Sequence, residues 1–132
     1  MRSTSNMIHD VADFHDLILQ DAPAEAPSLI SLEYCVERAR FLAEELDEFM
    51  VGVGESDMVK IADALADIVY VALGTAHKMG LPFEEIWAAV QIANMQKQRG
   101  ITKRGNAVDA VKPAGWVGPE AAIARAIARK LA

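Results

Sequence analysis

The sequence predicts an all-α fold: a helical bundle of about five helices in a single domain, residues 1–132, with its core completed by homodimerisation. Three observations carry this expectation. Apolar residues recur at spacings of three and four through most of the chain. No segment makes a convincing strand. Pro and Gly fall where the helical patterns begin and end. At 52% hydrophobic and 24% charged, the chain is too apolar to be disordered and long enough for one core.

The first helix is expected over residues 8–20, where Val11, Phe14, Leu17 and Ile18 form a stripe. Residues 21–28 contain Pro23 and Pro27 and read as a loop, with Ser28 placed to cap the second helix. That helix is expected over 29–50, with Leu32, Cys35, Ala39, Leu42, Leu46 and Phe49 in register and Gly52 and Gly54 ending it. The third starts near Ser56 and Asp57, runs to Met79 and stops at Gly80. The fourth opens at Pro82, the favoured first helical position, with Glu84 and Glu85 in its first turn. Residues 97–118 hold four glycines and Pro113 with no period, which reads as a basic, functional loop. The fifth helix begins at Pro119.

The third helix is apolar all round, with Ile61, Ala62, Leu65, Ile68, Val69 and Ala72 spread over its circumference. Such a helix calls for burial on every side, which so short a chain cannot supply alone. That is the basis for expecting a dimer, with Tyr70 and Trp87 in the core. The apolar run 68–76 is far short of the roughly 20 residues a membrane span needs. Asp10, Asp13 and Asp16 interrupt what would be the apolar part of a secretory leader. The single cysteine, Cys35, rules out an intrachain disulfide and fits a reducing compartment, so the expected location is the cytoplasm, away from membranes.

The net charge of −6 is unevenly distributed: residues 1–96 carry −12 and residues 97–132 carry +6. A basic tail on an acidic body can grip nucleic acid, clamp phosphates opposite an acidic metal site, or neutralise its own body. Two carboxylates, Asp63 and Asp67, lie four apart within the apolar third helix. Buried without partners they would be costly and mutually repulsive. Glu44, Glu45, Asp47 and Glu48 place four acids in five residues near the end of the second helix, where the macrodipole disfavours anions. A short link makes these helices antiparallel neighbours and brings the two acidic sets together. An all-oxygen set suits Mg²⁺, with Mn²⁺ as the other choice. Lys97, Arg99, Lys103, Arg104 and Lys112 could then hold a polyphosphate.

Four blocks in order, Arg38…Glu44-Glu45-x-x-Glu48, Asp63-Ala-Leu-Ala-Asp67-Ile-Val-Tyr70, Ala93-Asn94-x-x-Lys97 and Lys112-Pro-x-Gly-Trp116, resemble the all-α nucleoside triphosphate pyrophosphohydrolases. These are the MazG-like and phosphoribosyl-ATP pyrophosphohydrolase-like proteins, and the resemblance covers about residues 8–120. It implies a Mg²⁺-dependent hydrolase, a homodimer or dimer of dimers, that converts a (deoxy)nucleoside triphosphate to the monophosphate and pyrophosphate. By the same resemblance Glu45, Glu48 and Asp67 are metal ligands and Glu44 is a ligand or base. Glu48 also stands as a candidate base. Arg38, Asn94, Lys97, Lys112 and Trp116 are the expected substrate contacts, Trp116 either stacking on a base or closing the loop onto the core.

One departure stands out. The family's second acidic block is commonly Glu-x-x-Asp, and the Glu position here is Ala64. Asp63 is the expected substitute, rotated by about 100° from residue 64. The same departure supports an alternative, a catalytically reduced relative that binds nucleotide or metal as a sensor or interaction module. A nucleic-acid-binding module is disfavoured by the acidic body and by the lack of aromatic residues among the loop bases. His9, His15 and His77 show no ligand spacing and read as structural.

Overall fold

Residues 4–101 and 108–131 are described by the structure, a computed structural model. They form five α-helices and one small antiparallel ribbon, divided between two compact units, Met1–Phe83 and Glu84–Ala132. The all-α expectation holds.

The first unit contains α1 (Thr4–Asp13), α2 (Leu32–Gly54) and α3 (Met58–Lys78). The first helical stripe does not stay in one α-helix: after Asp13 the chain widens into a π-helical segment, Phe14–Leu19, and ends at left-handed Gln20 (φ 54°). Ser31, not Ser28, caps α2, its Oγ accepting from the Tyr34 N–H at 3.0 Å. Ser28 Oγ instead accepts from Ile30 N–H and shapes the loop before the cap.

Gly52 does not stop α2, which runs on to Gly54, its last residue. Gly52 is buried where α3 departs, and a Cβ there would lie 3.0 Å from both Ile61 Cγ1 and the Ile61 backbone N. Its role is close helix approach, not termination. Asp57 caps α3 as expected, its carboxylate accepting from Val59 N–H and Lys60 N–H. Gly80, at φ 71°, follows the end of α3. Arg38 near the start of α2 reaches Thr75 and Val71 near the end of α3, so the two helices run antiparallel.

As expected of so short a chain on its own, the third helix is left partly bare, and Tyr70 and Trp87 are not the core residues the sequence suggests. Ala64 and Ala76 are buried, but Leu65, Val69 and Tyr70 remain 48%, 44% and 39% exposed, and Trp87 in the second unit is 45% exposed. Among the described residues of the first unit, α1, α2 and the π-helical segment meet α3, which leaves part of its circumference bare. The edge-to-face contact of Phe14 on Tyr70, centroids 5.5 Å apart, covers that tyrosine only in part.

The second unit holds α4 (Phe83–Met95), β1 (Gln98–Gly100), β2 (Asp109–Val111) and α5 (Glu120–Leu131). The strands correct the reading of residues 97–118 as a loop without strands. Each has three residues, too few to show a two-residue alternation. They pair antiparallel with Gln98 opposite Val111, Arg99 opposite Ala110 and Gly100 opposite Asp109. Ile86, Ala93 and Ala126 form the buried positions of this unit. Among the described residues no helix is long and apolar enough to cross a membrane.

Candidate functional site

Glu44, Glu45 and Glu48 project from the last half of α2, and Lys60, Asp63, Ala64 and Asp67 from the first half of α3. Together they line one cleft of about 200 Å³. The helical repeat explains the set, since positions separated by three and four on each helix share the face turned to its neighbour. Asp47, the fourth acid of the run, lies outside the cleft lining and is exposed. Glu45 and Asp67 are half-buried, whereas Glu44, Glu48 and Asp63 are exposed.

The five carboxylates are short of positive charge. Among the described residues none of them forms an ion pair. Lys60 reaches the cleft, but its Nζ binds Glu55 at 2.6 Å, outside the acidic set. Partial burial, and then the carboxylates of Asp67, Glu48, Asp63 and Glu44, push Glu45 above the ordinary carboxylate value. Ala64 forms the buried floor of the cleft, and Asp63 beside it lines the same space from an exposed position.

Hard oxygen donors, mutual repulsion and a lysine, Lys60, that is engaged with Glu55 instead of the acidic set fit a hard divalent cation. As the side chains stand, no three acidic, His or Cys groups among the described residues are already gathered around a common point. Glu44, Glu48 and Asp63 are exposed and can turn inward.

The other expected site residues are not among those lining this cleft. Arg38 is seven residues before Glu45 on α2, roughly 10 Å along the helix. Its Nε donates to Thr75 Oγ1 at 2.8 Å, Nη2 donates to the Val71 carbonyl at 3.0 Å, and the guanidinium rests against the Tyr34 and Phe41 rings. In the second unit, Asn94 is exposed near the end of α4. Lys97 and Lys112 flank the ribbon and both approach the Trp116 ring. Trp116 Nε1 donates to the Ala93 carbonyl at 2.8 Å, so the indole closes its loop onto α4. Arg99 is exposed on β1, and Lys103 and Arg104 fall outside the described residues.

Two features escape the sequence reading. Lys60 was detectable as the position three before Asp63. His15 and His77, distant in sequence, meet with ring centroids 5.5 Å apart, and no local spacing signals that.

A family model described as phosphoribosyl-ATP pyrophosphohydrolase matches residues 11–94, which include every acid of the cleft. No individual curated protein matches the chain. The matched segment is well over half of the sequence and contains the whole α2–α3 hairpin, and on that ground the chain belongs to the phosphoribosyl-ATP pyrophosphohydrolase family.

Proposed function

We propose that the chain is a cytoplasmic, Mg²⁺-dependent nucleoside triphosphate pyrophosphohydrolase, cleaving a (deoxy)nucleoside triphosphate to the monophosphate and pyrophosphate in nucleotide-pool house-cleaning. Five carboxylates on one cleft, none of them ion-paired among the described residues, carry this reading, in a chain whose family is named for pyrophosphate-bond hydrolysis. Glu45, Glu48, Asp63 and Asp67 would hold the cation. When bound, the cation offsets phosphate charge and lowers the pKa of a water. Glu44 or Glu48 takes the proton from the attacking water. Attack at the α-phosphorus breaks its bond to the bridging oxygen, which leaves with pyrophosphate.

Asn94, Lys97 and Lys112 contact the phosphates in this reading. Arg38 acts at one remove, by clamping α2 onto α3. A second copy of the chain covers the bare side of α3 around Leu65 and Val69, giving a homodimer or a dimer of dimers.

Phosphorus NMR with Mg²⁺ and a panel of ribo- and deoxynucleoside triphosphates tests the reaction. Monophosphate plus pyrophosphate is the expected product pair. Diphosphate plus orthophosphate, or no turnover with any triphosphate, overturns the proposal. Light scattering reads the mass, and a monomer would remove the second copy.

A further inference from the structure

The register of the ribbon has a consequence at its open end. Gln98 faces Val111, so the next rung outward sets Lys97 opposite Lys112. Like charges directly opposite each other destabilise a two-stranded pair. Among the described residues no carboxylate pairs with either ammonium. What meets both is one indole: Lys97 Nζ lies 5.3 Å and Lys112 Nζ 4.9 Å from the Trp116 ring centroid.

The ring is itself fixed. Its Nε1–H donates to the Ala93 carbonyl on α4, and its backbone N–H donates to the Pro113 carbonyl across a turn. Two flexible side chains are thereby tethered to one rigid plate. The ammoniums lie no more than about 10 Å from one another, comparable with the Debye length of about 10 Å at 0.1 M salt. Engaged with both lysines, the ring is poorly placed to stack on a base.

We propose that Trp116 is a positioning residue for the phosphate contacts: it holds the Lys97 and Lys112 ammoniums on one ring, so that the two act as a single anion site selective for a condensed phosphate. The choice of a condensed phosphate rests on the pyrophosphohydrolase reading; the tethered pair does not. Pyrophosphate, free or as the end of a triphosphate, has two charged groups and can engage both ammoniums. Orthophosphate has one and engages them less well.

The test uses the full chain with Trp87→Phe, which leaves Trp116 as the only indole. Its fluorescence is titrated with inorganic pyrophosphate and with orthophosphate, at fixed ionic strength and without divalent cation. Pyrophosphate is expected to give a saturable change about tenfold tighter than orthophosphate, and Lys97→Gln or Lys112→Gln to weaken it by about tenfold each. Calorimetry extends the series to Trp116→Leu, expected to weaken pyrophosphate binding, and Trp116→Phe, expected to restore it because the π face is kept. In steady state Trp116→Leu raises KM far more than it lowers kcat. Equal binding of the two anions, indifference to both lysine substitutions, or failure of Phe to rescue overturns the proposal. Pyrophosphate binding that survives while no triphosphate is hydrolysed removes the enzymatic reading and leaves the anion site standing. Hydrolysis without such binding removes the anion site alone.

Discussion

The two ends of the α2–α3 hairpin treat their polar side chains in opposite ways. At the end away from the connecting turn, several polar side chains have partners. Arg38 donates to Thr75 and Val71, the His15 imidazole meets the Asp21 carboxylate at 3.0 Å, and Lys78 donates to the Ala22 carbonyl. Two atoms there, the Tyr34 hydroxyl and His77 Nε2, lack a hydrogen bond, though His77 Nε2 lies 3.8 Å from Asp16. At the end near the turn, five carboxylates share one cleft and, among the described residues, none is paired. Partnered polar groups hold the hairpin together. Unpartnered like charges weaken it and are expected where a ligand completes the set.

The largest expected effects come from exchanging damage between the two ends. Glu48→Ala should lower kcat by about 10²- to 10⁴-fold, the range for losing a general base, while the melting temperature holds or rises. Arg38→Ala should do the reverse, costing about 2–3 kcal/mol of stability through lost charged hydrogen bonds, with kcat per folded molecule largely kept. Urea unfolding alongside initial rates reads both. Unfolding by the Glu48 change, or inactivation at full stability by the Arg38 change, would dissolve the distinction.

A smaller effect is expected at the floor of the cleft. Ala64 is 2% exposed, so Ala64→Glu adds a sixth carboxylate among five. Without divalent cation the variant should lose about 1–3 kcal/mol, the cost of a buried unsatisfied group. With Mg²⁺ it should recover most of that loss, because the new oxygen completes a Glu-x-x-Asp pair with Asp67. A thermal melt with and without Mg²⁺ decides this. A loss that Mg²⁺ does not repair would mean that residue 64 does not face the cation.

These contrasts also show what could be read from sequence. The acidic set was legible because both helices repeat every 3.6 residues, so Glu45, Glu48, Asp63 and Asp67 announce a shared face. The Asp57 cap and the stop at Gly80 were legible because each depends on one residue's own chemistry. The π-helical segment was not, since Phe14, Leu17 and Ile18 suit a regular turn equally well. The bare side of α3 was legible as more apolar surface than so short a chain can cover, but composition does not place Tyr70 and Trp87, which stay partly exposed. The meeting of His15 with His77 depends on how the π-helical segment Phe14–Leu19 lies against α3. The ribbon is set by pairing between segments, which a three-residue strand does not reveal.

The smallest expected effect concerns Glu45 and its sign. Its pKa is raised in the folded protein, first by partial burial and then by the neighbouring carboxylates. The folded state therefore binds this proton more tightly than the unfolded chain does. Stability tied to Glu45 is fully present below the ordinary value of 4.5 and is lost as pH rises through the raised value. The metal-free protein should accordingly melt slightly lower on the neutral side of that window than within it, against the usual trend for paired carboxylates. Glu45→Gln, which cannot ionise, should melt higher than wild type at neutral pH, and the gap should close on acidification. Adding Mg²⁺ should narrow the gap at neutral pH, because a bound cation stabilises the ionised carboxylate that Gln lacks. A gap that widened in acid would mean that Glu45 has a cationic partner after all, and the end of the hairpin near the turn would then be scaffold like the other.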